Sequence, residues 1–204
     1  MAYYAYDGQH QSHIARTDII TGATSRLTDG PLDFWPSCTP DGSTLVFEHC
    51  AEQGNHCFLT RKSIDSGQSL ALLELGPLDG SWGQATISPE GTKIFLRKND
   101  VTDPYGWATI IPTAGGNPQK LKMPVPVGGV VAFTWAPDGK SILYARNENG
   151  VGNIWSTPID GKAPRKLTAF DSELIFAFGV SPDNRLAISR GSWTRDVVLI
   201  KNAK

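Results

Sequence analysis

Four short phrases, each a small residue followed by Pro, an acid and then Gly or Asn, recur along the chain: Thr39-Pro40-Asp41-Gly42, Ser88-Pro89-Glu90-Gly91, Ala136-Pro137-Asp138-Gly139 and Ser181-Pro182-Asp183-Asn184. In each, Pro presets φ at the first corner, the acid can accept from nearby backbone N–H groups, and Gly or Asn tolerates positive φ, which together specify a tight turn. Each turn precedes an apolar, β-prone run: Leu45-Val46-Phe47, Ile94-Phe95-Leu96, Ile142-Leu143-Tyr144 and Leu186-Ala187-Ile188. A polar loop then leads to a further strand, at Cys57 to Leu59, Trp107 to Ile111, Asn153 to Trp155 and Val197 to Ile200. Second turns at Asp65-Ser66-Gly67, Gly115-Gly116 and Asp160-Gly161 are followed by short outer segments at Ser69 to Leu73, Gln119 to Leu121 and Arg165 to Thr168.

Four short antiparallel strands per unit of a little under fifty residues is the pattern of a β-propeller, in which each blade packs face to face on the next. The expected fold is all-β. The expected modules are 1–30, 31–76, 77–126, 127–170 and 171–204 of one propeller region, the first and last incomplete. Tyr3 to Tyr6, His13 to Thr17 and Ser25 to Thr28 read as a blade without its innermost strand, and the last unit stops before an outer one. An unclosed ring would expose strand edges, so the chain is expected to be part of a larger propeller, with oligomerisation as another route to closure.

The phrase small-Pro-Asp-Gly, apolar strand, Gly-Asn-Ile-Trp, Asp-Gly and Arg-Lys-Leu-Thr, complete between Trp135 and Thr168, resembles the repeat of the TolB-like β-propellers. The resemblance implies a ring of about six blades. It also implies a range of settings: periplasmic scaffold proteins of bacteria, propellers beside oligopeptidase domains, oligogalacturonate lyases, and sensory or interaction modules. An extracytoplasmic location follows from the resemblance alone. The start of the chain has neither the basic flank nor the apolar run of a secretion signal.

Composition narrows the function classes. The 204 residues are 40% hydrophobic and 19% charged with a formal net charge of −1. That balance suits a soluble globular domain and gives no basic excess for a phosphate backbone, so nucleic acid is not an expected partner. No stretch approaches the ~20 apolar residues of a membrane span, so no insertion is expected from this chain.

The loop Glu48 to Cys57, EHCAEQGNHC, is the densest chemical cluster. With Phe47 ending one strand and Phe58 beginning the next, Cys50 and Cys57 face each other across a hairpin and can form a disulfide, worth roughly 2–3 kcal/mol on the loop-entropy estimate. A metal site would need His49, Cys50, His56 and Cys57 to converge, yet neighbours on a strand point to opposite faces. No cofactor is therefore expected, with a divalent metal left open. Cys38, the third cysteine, reads as a small buried apolar residue on an inner strand.

Connections between second and third strands share one rim with the links between blades, and propeller ligands meet that rim or the central channel. The candidate ligand rim comprises His49, His56, Asp33, Asp79, Asp103, Tyr105, Trp107, Glu148 and Trp193, with Glu52, Asp100, Asn147, Asn149, Arg195, Asp29, Trp82, Asp171 and Glu173 nearby. The repeated link Gly30-Pro31-Leu32-Asp33 and Gly76-Pro77-Leu78-Asp79 reads as a structural turn. There is no Gly-x-Ser-x-Gly elbow, phosphate-cradling loop or His-Glu-x-x-His motif. The sequence therefore points to a binding or scaffold module for a protein partner, without catalytic residues. Its alternative is a carbohydrate-active enzyme, a glycoside hydrolase or polysaccharide lyase, using rim Asp, Glu and His.

Overall fold

The computed structural model describes residues 2–6, 11–51, 53–77, 85–97, 107–123 and 130–193, with the backbone alone for 2–6, 107, 130 and 131. These residues are strands and turns and contain no helix, hence none long and apolar enough to cross a membrane. Seventeen strands follow in order. The first three are β1 (Ala2–Tyr6), β2 (Ser12–Thr17) and β3 (Thr24–Arg26); β4 (Leu32–Cys38), β5 (Thr44–Cys50), β6 (Cys57–Ser63) and β7 (Ser69–Gly76) come next. Then come β8 (Thr86–Ile87), β9 (Lys93–Arg97), β10 (Trp107–Pro112) and β11 (Gln119–Lys122), and β12 (Val130–Trp135), β13 (Ser141–Glu148), β14 (Val151–Pro158) and β15 (Arg165–Lys166). The last described pair is β16 (Leu174–Val180) and β17 (Leu186–Gly191). The strand expected at Val197 to Ile200 lies outside the described residues.

Sheets β8 to β11 and β12 to β15 are each four antiparallel strands in sequence order, the arrangement expected of blades. The first seven strands differ from that expectation. They form one sheet, because the backbone of Ser12 in β2 pairs in parallel with Leu32 in β4, with Ser12 N–H donating to Pro31 O at 2.8 Å. Inner strands β4, β12 and β16 each carry a register shift near mid-strand, and Trp35 in the first of these sits at φ +54°.

The recurrent turn now has a physical description. The carbonyls of Thr39, Ser88, Ala136 and Ser181 accept from the N–H groups of Gly42, Gly91, Gly139 and Asn184 at 2.8–2.9 Å, and those four residues have φ between +63° and +78°. Where the small residue has a hydroxyl, it accepts from the strand beyond, Thr39 from Thr44 N and Ser88 from Lys93 N, both at 3.0 Å. The Leu-Thr pair of the repeat has an equivalent duty. Thr28 Oγ1 accepts from Ile14 N, and Thr168 Oγ1 from Ile154 N, both at 2.9 Å, fastening the end of an outer segment to the strand inside it.

Alternation along the second strands divides the core into layers between successive sheets. Leu45 and Phe47 pack with Ile14 and Leu27 on the β1–β3 side, while Val46 and Cys50 pack with Ile94, Leu96 and Ile111 on the other. Phe95, Ile110 and Leu121 then meet Trp135, Ile142 and Tyr144, and Ala145 and Ile154 meet Ile175 and Ile188. Burying such side chains contributes about 1.5–3 kcal/mol each, and all of it depends on one sheet leaning on the next. Rotational order is visible at the turn end, where Cys38, Ile87, Trp135 and Val180, each two positions before the repeat proline, converge on one cavity of about 330 Å³. Cys38 is half-buried at its wall, less enclosed than the sequence implies, and desolvation there pushes its thiol up.

Candidate functional site

The rim at the other end of the strands gathers the candidate residues from β4, β5, the β5–β6 hairpin, the β13–β14 hairpin and the segment after β17. Leu45 and Phe47 alternate toward the first sheet, so His49 is carried to that side and Cys50 to the opposite one. His49 Nδ1 lies 2.7 Å from Asp33 Oδ1. Asp33 is 1% exposed and accepts from Gly30 N at 3.2 Å, and its own N–H donates to Ser12 Oγ at 3.0 Å. The link Gly30 to Asp33 therefore has two uses: it closes a turn and joins two modules, and its carboxylate also holds an imidazole.

A carboxylate on Nδ1 orients the ring and favours a ring hydrogen on that nitrogen. The His49 side chain is 41% exposed beside a cleft of about 150 Å³ walled by Thr28, Gly30, Asp33, Phe47, Thr60 and Lys62. Such a pair can orient a general base. Among the described residues no hydroxyl or thiol is hydrogen-bonded to His49.

Cys50 and Cys57 are directly opposed in the β5–β6 ladder and joined by a disulfide, both fully buried. The metal reading fails in the form the sequence offered. The sulfurs are not thiolates, His49 faces away with Asp33, and His56 is exposed with Nδ1 4.0 Å from Glu74. Among the described residues, the group whose ligand atoms do approach one another is Glu48, Cys50 and Cys57, all within 4.8 Å, two of them the bonded sulfurs.

At the β13–β14 hairpin, Asn149 at φ +50° and Gly150 at φ +79° form a two-residue turn, the Asn-Gly pairing that suits it best. This presents Glu148, which pairs with Arg146, and Asn147, whose amide donates to Ile175 O at 2.9 Å and accepts from Ile175 N at 3.0 Å. Asn147 is thus a clamp between sheets. Trp193 is 74% exposed, its ring edge-on to Phe176 with centroids 5.2 Å apart. Asp79, Asp103 and Tyr105 lie outside the described residues, as do Glu52, Asp100, Trp82, Arg195 and the side chain of Trp107. Sequence reasoning placed Asp33 and His49 on one rim without pairing them, and missed Glu48 and the Asn147 clamp. The Asn149-Gly150 dipeptide could have fixed that hairpin.

No protein-family model and no curated protein matches the chain. Solved structures do share its fold. TolB from Acinetobacter baumannii superposes with a TM-score of 0.64 at 16% identity over 93% of this chain and 48% of that one. An oligogalacturonate lyase in complex with manganese gives 0.64 at 16% identity over 84% and 51%. The β-propeller domain of the Trilobed protease from Pyrococcus furiosus, described as having an open velcro topology, gives 0.59 at 14% over 90% and 61%. The chain spans about half to three-fifths of the length of these propellers.

Proposed function

Given a propeller fold shared with proteins of unlike activities, we propose that this chain belongs to a non-catalytic binding or scaffold module that presents its rim to a protein partner outside the cytoplasm. The observation that carries the reading is Trp193, an aromatic ring held by Phe176 yet 74% exposed on that rim. Several rim charges are already engaged within the molecule: Arg146 with Glu148, Arg190 with Glu173, His49 with Asp33. A fixed, exposed aromatic is the residue type that anchors interfaces. The buried disulfide and the likeness to TolB favour the location.

A second reading has its own support. The Asp33-held His49 beside its cleft, with an oligogalacturonate lyase among the similar structures, favours a carbohydrate-active enzyme. Peptides selected against the protein from a random displayed library separate the two. On the binding reading, Trp193→Ala weakens the selected peptides roughly 30-fold or more, the loss of one interface anchor, while His49→Ala does not. Unchanged peptide affinity in Trp193→Ala, together with pectin-fragment cleavage abolished by His49→Ala, would replace the proposal with the lyase.

A further inference from the structure

Resting on the reading of Trp193 as an interface anchor, we propose that the partner segment it takes is an extended, proline-rich stretch in the polyproline II conformation, received in the corner between the Trp193 and Phe176 rings. The two rings stand at 72° to each other with centroids 5.2 Å apart, so they enclose a corner. One wall of it is backed by the strand pair. Phe176 is half-buried in β16, and β17 passes close to its ring at Gly191, where an added Cβ would lie 3.0 Å from Cε2. The other wall, Trp193, is 74% exposed. Among the described residues none is hydrogen-bonded to its indole N–H.

Each of these features asks for one part of a ligand. A corner of two rings suits a compact apolar group, and the pyrrolidine of proline supplies one with φ already fixed, so little conformational freedom is lost on binding. An indole N–H without a partner asks for a carbonyl. A polyproline II segment has no internal hydrogen bonds, so its carbonyls are free to accept, whereas a helix or a paired strand already uses them. Aromatic-lined grooves receive proline-rich segments by this combination. Charge adds no competing demand: Arg190 donates to Ser172 O at 2.6 Å, lies 3.6 Å from Glu173 and covers the Phe170 ring. A sugar ring, the ligand of the alternative reading, stacks best on a flat aromatic face and asks for several polar partners, so a corner with one donor fits it poorly.

The test uses the full chain with decaproline as the probe. Binding is read from the anisotropy of the labelled probe and from the indole N–H resonances of nitrogen-15-labelled protein, that of Trp193 being the one lost in Trp193→Phe. Decaproline should bind with a dissociation constant on the order of 0.1 mM and shift the Trp193 resonance downfield. Trp193→Phe keeps a ring and removes the donor, and should weaken binding about fivefold. Phe176→Ala opens the corner and should weaken it more than about tenfold, with the amide spectrum showing whether the fold is kept. A Gly-Ser decamer should not bind. If decaproline does not bind while the library-selected peptides still depend on Trp193, the proline assignment falls and the interface reading stands. If neither depends on Trp193, both fall. Equal affinity in Trp193→Phe would also overturn the assignment, as would a Trp193 resonance that moves with oligogalacturonate and not with decaproline, which would point to a carbohydrate.

Discussion

The two ends of the strands are built on different principles. At the turn end, four corners repeat one set of bonds, from Gly42 N to Thr39 O through Asn184 N to Ser181 O, all between residues three apart in sequence. At the rim each fastener is different, and Ser12 with Asp33, Asn147 with Ile175 and Asn153 with Phe170 join distant segments, while Cys50 with Cys57 closes one hairpin. The corners make each strand pair turn and the rim decides what leans on what. A fault at a corner should therefore be cheap and local, whereas a fault at the rim should loosen a junction between sheets.

The severest way to probe this contrast is Gly152→Val. A Cβ on Gly152 would lie 2.8 Å from Ile175 Cγ1 and would also overlap Ile175 N and Asn147 Oδ1. Overpacking of this kind costs about 1–3 kcal/mol. Displacing Ile175 also breaks both Asn147 bonds, at about 1 kcal/mol each. A loss of roughly 3 kcal/mol in the unfolding free energy from urea titration is expected, with hydrogen-exchange protection lost first in β16. A loss under about 1 kcal/mol, no larger than that of a corner variant, would erase the distinction between the ends.

The same contrast explains what was legible in the sequence. A corner is legible because Pro, an acid and Gly each answer a local demand on φ or on a nearby N–H, and four repetitions remove chance. Propeller architecture follows from that, as does the hairpin that brings Cys50 opposite Cys57. The Asn147–Ile175 clamp spans 28 positions and leaves no local trace. Glu48 reads as an ordinary strand acid until the layer it enters is known. The fusion of the first two modules through Ser12 and Leu32 rests on a single backbone pair that no side chain announces.

Corner variants should cost less, and their ranking tests the stated reason for the glycine. Gly42 has φ +72° and open space around an added Cβ, so Gly42→Ala measures backbone strain alone. About 1 kcal/mol is expected. Asn184 occupies the equivalent place at φ +63°, so Gly42→Asn should lose less than half as much, read from paired urea titrations. If Asn proved as costly as Ala, the positive φ would not be what selects the residue.

Acid should produce the mildest effect, read at the turn end. The hydroxyl of Thr39, with the backbone N–H and hydroxyl of Ser43, holds the Asp41 carboxyl below its ordinary 3.8; Lys162, through its side chain and backbone N–H, does so for Asp160. A carboxyl depressed in the folded state binds its proton more readily when unfolded. The stabilisation is therefore complete above pH 3.8 and disappears as pH falls through the lower folded value. Both groups are fully exposed, so the change should be small, and the part due to the Asp160–Lys162 pair should weaken with salt. The Ser43 amide, which donates to Asp41 Oδ1 at 3.0 Å, reports the corner, and the Gly152 amide, bonded to Glu173 O at 2.8 Å, reports the rim. Below pH 3.8 the protection of Ser43 should fall relative to that of Gly152, and Asp41→Asn should remove that pH dependence. Parallel loss at both amides would mean that the ends share one acid-sensitive unit, and that the carboxylates at the corners act on the whole stack instead of on their own turns.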